Sequence, residues 1–81
     1  MINETRFFSI GGKQAYDEVI HFIDQRCNKR IQNPSNSYAY YYLGFKPIAM
    51  TNSEFGTVEL LNVEGEMINS IERILRVEGV R

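Results

Sequence analysis

The spacing of apolar positions changes several times along the chain, and each change marks the border of an element. Residues 6–10, RFFSI, are short, aromatic and β-branched at the end, and they stop at Gly11 and Gly12. This predicts a strand followed by a tight turn. Residues 13–31 then show helical spacing, with Ala15, Val19, Phe22 or Ile23, Cys27 and Ile31 on one stripe. Asp17, Glu18, Asp24, Gln25 and Lys29 lie mostly off that stripe. Asp17 and Glu18 come early in this predicted helix and Arg26, Lys29 and Arg30 late, an order that complements the helix dipole. Pro34 and its polar neighbours in QNPSNS end it.

Alternation follows in residues 38–50, YAYYYLGFKPIAM. Ala39, Tyr41, Leu43, Phe45, Pro47 and Ala49 point one way, and Tyr38, Tyr40, Tyr42, Lys46 and Met50 the other. The pattern predicts one strand with a core side and an aromatic, partly polar side. Pro47 cannot donate to a ladder, so this strand is an edge or carries a bulge there. TNSEFG supplies a turn, and residues 57–63, TVELLNV, form the second arm of a hairpin. Residues 64–78 return to helical spacing through Met67 or Ile68, Ile71, and Ile74 or Leu75. Asn62 or Glu64 is placed to cap this helix, Glu72 and Arg76 form a supportive i,i+4 pair, and Gly79 is a natural stop.

The resulting order, β-α-β-β-α, predicts a single small α+β domain over residues 1–81. Its type is ferredoxin-like, with an antiparallel sheet and two helices on one face. Such folds finish with a fourth strand beside the first, and almost no residues follow Gly79 to build it. A fourth strand is therefore missing or supplied by a partner, and the first strand is an open edge. Arg6, Phe7, Phe8, Ser9 and Ile10 are expected to be covered by a protein partner, a second copy or the residues before them.

With 81 residues the chain is one domain of marginal size for an unaided core. Nine basic and ten acidic side chains nearly cancel, which argues against a nucleic-acid binder that relies on bulk charge, although a small basic patch is still compatible. The single cysteine, Cys27, forms no internal disulfide, so an oxidising compartment is not required. No run of about 18 apolar residues is present to span a membrane. MINETRFFSI lacks the pattern of a signal peptide, so a cytoplasmic or organelle-interior location is expected.

The inventory for catalysis is thin. His21 and Cys27 stand six residues apart on the predicted helix, which puts them on different faces and makes no dyad. Gly11, Gly12 and Lys13 before a helix lack the longer glycine pattern of a phosphate cradle. No metal or cofactor site is expected. Arg26, Lys29 and Arg30 could touch phosphates, though dipole compensation explains them equally well. Tyr38, Tyr40 and Tyr42 could stack bases, though tyrosine is also a favoured strand residue.

From Leu43 onward the chain resembles the family of bacterial small-subunit ribosomal protein six. LGFKPIAM offers Gly44, Phe45 and Lys46 followed by Ile48, Ala49 and Met50, where that family has a glycine, an apolar residue, one or two basic residues and Leu-Ala-Tyr. GTVELLNVEG matches its next strand through Gly56 and Val63-Glu64, and Leu75-Arg76 stands where its second helix ends in a Leu-Arg pair. Pro47 and Met50 depart from the pattern. The resemblance covers about half of the chain; the first half agrees in element order only. It implies a non-catalytic protein bound to small-subunit ribosomal RNA and to a neighbouring ribosomal protein. Lys46 would be its RNA contact, Gly44 the backbone enabler and Arg76 a further contact, beside the stacking candidates Tyr40 and Tyr42. The alternative expectation is a small ferredoxin-like interaction protein, homo-oligomeric or inhibitory, of phage or mobile-element type, gripping protein through its first-strand edge and tyrosine face.

Overall fold

The computed structural model describes residues 3–79. The elements are β1 (Asn3–Ser9), α1 (Lys13–Asp24), β2 (Lys29–Gln32), β3 (Tyr38–Leu43), β4 (Lys46–Asn52), β5 (Thr57–Glu64) and α2 (Gly65–Val77). The domain is α+β. Five antiparallel strands lie in the order β1-β5-β4-β3-β2, so β1 and β2 are the two edges. The order β-α-β-β-β-β-α has two more strands than the sequence pattern predicts.

Both extra strands have a local cause. The first helix ends at Asp24 rather than at residue 31, and residues 29–32 pair with β3 through Lys29↔Tyr42 and Ile31↔Tyr40. The apolar stripe through Cys27 and Ile31 was a coincidence of spacing. Lys29 and Arg30 stand on a strand and do not compensate the dipole of α1, whose last turn holds His21 as its basic residue. The expected single strand over residues 38–50 is a hairpin. Leu43 pairs with Lys46 around Gly44 and Phe45, and Gly44 takes a φ of 66°, which glycine supplies without strain in a two-residue turn. Leu43, Phe45 and Pro47 are consequently exposed, not core. Pro47 lies in a central strand at a bulge: Tyr41 pairs with Ala49 and Tyr42 with Pro47, leaving Ile48 as the extra residue.

The remaining elements follow the pattern more closely. Residues 57–64 form a strand antiparallel to β4, and the turn before it is organised by Asn52, whose Oδ1 accepts the N–H of Glu54 at 3.0 Å and of Phe55 at 3.4 Å. Helix α2 begins after Glu64 and is capped at Glu78, with Gly79 at a φ of 76° just beyond it. Glu72 pairs with Arg6 of β1 at 3.1 Å, not with Arg76.

Alternation gives the sheet a covered face and an open one. Val58 and Leu60 of β5, Ala49 and Thr51 of β4 and Ala39 and Tyr41 of β3 are all buried beneath the helices. Ala15, Val19 and Ile23 of α1 meet them, with Ile68 and Ile71 of α2, in one core cluster. Tyr16 donates its hydroxyl to Thr57 O at 3.4 Å. Tyr16 and Tyr41 both face the Thr51 hydroxyl, and burial pushes each phenol above the ordinary tyrosine pKa. Both therefore stay neutral hydrogen-bonding members of the core.

Candidate interaction surface

The open face takes its residues from every strand. Pairing links Phe7↔Glu59, Glu59↔Met50, Met50↔Tyr40 and Tyr40↔Ile31, so one continuous row of five side chains crosses the whole sheet. Each member lies between covered-face neighbours: Met50 between buried Ala49 and Thr51, Tyr40 between buried Ala39 and Tyr41, Glu59 between buried Val58 and Leu60. The ends of the row are its barest parts, Phe7 at 60% exposure and Ile31 at 43%. On one side of the row run Lys29, Tyr42 and Pro47, with Leu61 of β5 continuing the line. On the other side run Tyr38, Asn52, Thr57 and Ser9. An aromatic and aliphatic band, polar along one margin, is thus held rigid by the sheet, and no described helix covers it. Glu59 is the acid in its principal row.

Of the residues expected to contact RNA, the structure places Tyr40 and Tyr42 on this band and the other three elsewhere. Lys46 turns to the helix side of the β3–β4 hairpin, where its Nζ donates to Asn62 O at 2.6 Å beside Phe22, Arg26 and Met67. Gly44 is the turn residue, and its N–H donates to Asn28 Oδ1 at 2.9 Å. Arg76 is exposed near the end of α2, roughly 15 Å along the helix axis from Glu66, which shares the Lys46 hollow. These five residues do not form one surface.

The first-strand residues divide as well. Arg6 points to the helices and is bound by Glu72 and Glu4, at 3.1 and 3.3 Å. Phe8 packs against the core and Phe7 belongs to the open face. Ile10 lies beyond β1, is buried, and donates its N–H to Gly56 O at 2.8 Å, so it is not edge. With the Ile10 amide directed at the β5 side, alternation turns the backbone groups of Phe7 and Ser9 to the outer edge. Asn3, Glu4 and Thr5 extend β1 itself and do not cover it.

Elsewhere, His21 is exposed on α1, and Cys27 is half-buried past the end of that helix, with its thiol directed to Asp24 O at 3.4 Å. Arg26 stacks over the Phe22 ring at 3.6 Å, and Arg30 lies over Tyr41 on the covered side. Among the described residues, no three His, Cys, Asp or Glu side chains converge as a metal site would need. No described helix is long and apolar enough to cross a membrane.

Sequence reasoning found Tyr40 and Met50 as outward residues but missed Phe7, Ile31, Glu59 and Leu61 as their neighbours. The signal in KRIQ, residues 29–32, is an alternation of only four residues, too short to separate from a helix. Comparison with known proteins returns no matching family model, no similar curated protein and no similar solved structure.

Proposed function

We propose that this chain is a non-catalytic interaction module that binds protein through the open face of its sheet. The row Phe7–Glu59–Met50–Tyr40–Ile31 carries this reading. Its aliphatic ends and centre favour a dry, packed contact, and a carboxylate in the row is unfavourable against a phosphate backbone. Aromatic and methionine side chains on a rigid scaffold are also the residue types enriched in protein interfaces. The layout is read as an enlarged relative of the ferredoxin-like arrangement, in which α1 joins two parallel-running strands and the added hairpin widens the sheet between them. The outer edge of β1, at Phe7 and Ser9, adds a secondary place for strand pairing.

A second reading, a ribosomal-protein-six-like module on small-subunit RNA and a neighbouring ribosomal protein, is favoured by Lys29 standing beside Tyr42, next to Tyr40. A cation beside a pair of aromatic rings is a workable stacking site. It has less support, because Lys46 and Arg76 are off that face.

Site-specific photocrosslinking in cells separates the two. A benzophenone side chain at Tyr40 or at Phe7 is expected to capture polypeptide, identified by mass spectrometry, while one at His21 captures little. Nucleotide adducts at Tyr40, weakened by raised salt or by Lys29→Ala, would move the assignment to RNA. Equal yields at all three positions would remove the open face as a binding surface.

A further inference from the structure

The protein that this face binds is, we infer, a second copy of the same chain, stacked sheet on sheet about a two-fold axis parallel to β4. This rests on the reading of the open face as a protein-binding surface and names its occupant.

The row is self-complementary about its own centre. Met50 stands on β4, the middle strand, with Glu59 on one side and Tyr40 on the other, then Phe7 and Ile31 outermost. A two-fold axis along β4, midway between two facing sheets, reverses strand order from one copy to the next. Met50 then meets Met50, each Phe7 meets an Ile31, and each Glu59 meets a Tyr40 hydroxyl able to donate to it. The same operation sets Tyr42 opposite Leu61, and Tyr38 opposite Thr57. Apolar residues meet apolar ones, and the carboxylate of the row meets a donor.

Charge selects this axis over its alternative. An axis perpendicular to the strands lays β5 on β5 and brings the two Glu59 carboxylates against each other, which costs affinity. With the axis along β4 both carboxylates still reach into the gap between the sheets, but they are two strand spacings apart, about 10 Å, each beside a Tyr40 hydroxyl. Near-aligned stacking is also one of the two ways in which twisted sheets pack face to face.

Size is sufficient. Five strands at about 4.8 Å spacing and some six or seven residues at about 3.3 Å give a flat area of about 500 Å² per copy. Two copies bury about 1,000 Å² before side-chain relief is counted, which is the lower bound for a specific interface. The closed dimer would also shelter Phe7 and Ile31.

The test uses the full chain with Cys27→Ser as background. Sedimentation velocity is expected to give a dimer at micromolar concentration, and Met50→Lys, which sets two ammonium groups against each other on the axis, to raise the dissociation constant at least about a hundredfold. Circular dichroism confirms that this variant, changed on an outward position, is folded. Met50→Cys is expected to give a covalent dimer with a short bifunctional thiol reagent, because sheets about 10 Å apart hold the two Cα atoms beyond the reach of a direct disulfide. Phe7→Cys and Ile31→Cys are expected to crosslink to each other in a mixture and not each to itself. A monomer at all concentrations overturns the proposal while leaving capture of another protein at Tyr40 intact. A dimer in which Phe7→Cys or Ser9→Cys crosslinks to itself, and Met50→Cys does not, would place the contact at the β1 edge and also overturn it.

Discussion

Gly56 and Gly44 have the same φ of 66° in different surroundings, and replacing each by alanine separates two costs that usually arrive together. A Cβ at Gly44 meets nothing within 4 Å, so Gly44→Ala carries only the penalty of left-handed backbone, about 1–2 kcal/mol. A Cβ at Gly56 would lie 2.7 Å from the carbonyl oxygen of Ile10. That atom is backbone and cannot swing aside. The two residues are already joined by the Ile10 N–H donating to Gly56 O at 2.8 Å, so separating them strains or breaks that bond, a further loss of about 1 kcal/mol. Ile10 is buried, and moving it exposes part of the core that closes over the end of β1. Gly56→Ala should therefore cost about 3–4 kcal/mol, roughly twice the cost of Gly44→Ala. A domain of this length has a stability of about 4–12 kcal/mol, so the loss is severe but measurable. Urea unfolding followed by circular dichroism gives both values, and a thermal scan should separate the two variants by about 10 °C. Equal destabilisation within about 0.5 kcal/mol, or a larger loss for Gly44→Ala, would refute the steric argument and leave only the shared dihedral.

Other substitutions probe different parts of the molecule. Asn62, at a φ of 52° in the β5 bulge, donates its N–H to the Thr5 hydroxyl at 3.0 Å and offers its carbonyl to Lys46. Asn62→Ala should cost about 1 kcal/mol while Asn62→Gly stays within about 0.5, measured by the same urea titration. Ile71 is fully buried, so Ile71→Ala should cost about 2–5 kcal/mol, whereas Phe45→Ser at the fully exposed hairpin tip should change stability by less than about 0.5. Hydrogen bonding to the Glu18 carboxyl holds Glu78 above the ordinary glutamate pKa, so the folded chain binds that proton more tightly than the unfolded one. The stabilisation is fully present below the ordinary value and is lost as pH rises through the raised one. The melting temperature should accordingly drift upward slightly on acidification from neutral pH to about 5, and Glu78→Gln should flatten that drift. An unchanged slope in Glu78→Gln would dismiss the contact.

Elements whose pattern is local were legible in the sequence, and those defined by distant pairing were not. TVELLNV alternates between two turn signals, and residues 64–78 repeat at helical spacing up to Gly79; β5 and α2 lie within a residue or two of those limits. β2 failed because Cys27 and Ile31 are four apart, a helical interval, while the hydrogen bonds that make residues 29–32 a strand come from β3. The β3–β4 turn failed because the alternation of residue types runs on through Leu43, Phe45 and Pro47, whereas Gly44 reverses the chain and the bulge at Ile48 shifts the phase. The candidate surface was half legible for the same reason. Outward Tyr40 and Met50 follow from period two, but their alignment with Phe7, Glu59 and Ile31 depends on register, which the pattern of one strand does not contain.

The position of β1 also sets an order of events in folding. β2 to β5 form a meander of short connections, so each hairpin can close quickly from neighbouring residues. β1 joins last in the sheet order, since Phe8 meets Val58 about fifty residues further along the chain. Its contacts should be nearly absent from the rate-limiting transition state, giving Phe8→Ala a φ-value near zero, where a value above about 0.5 would refute the sequence of steps. A strand that arrives last also leaves first, and while it is away the edge of β5 can accept the same segment from another chain. The covalently leading strand is thus the part of this domain most open to exchange between copies.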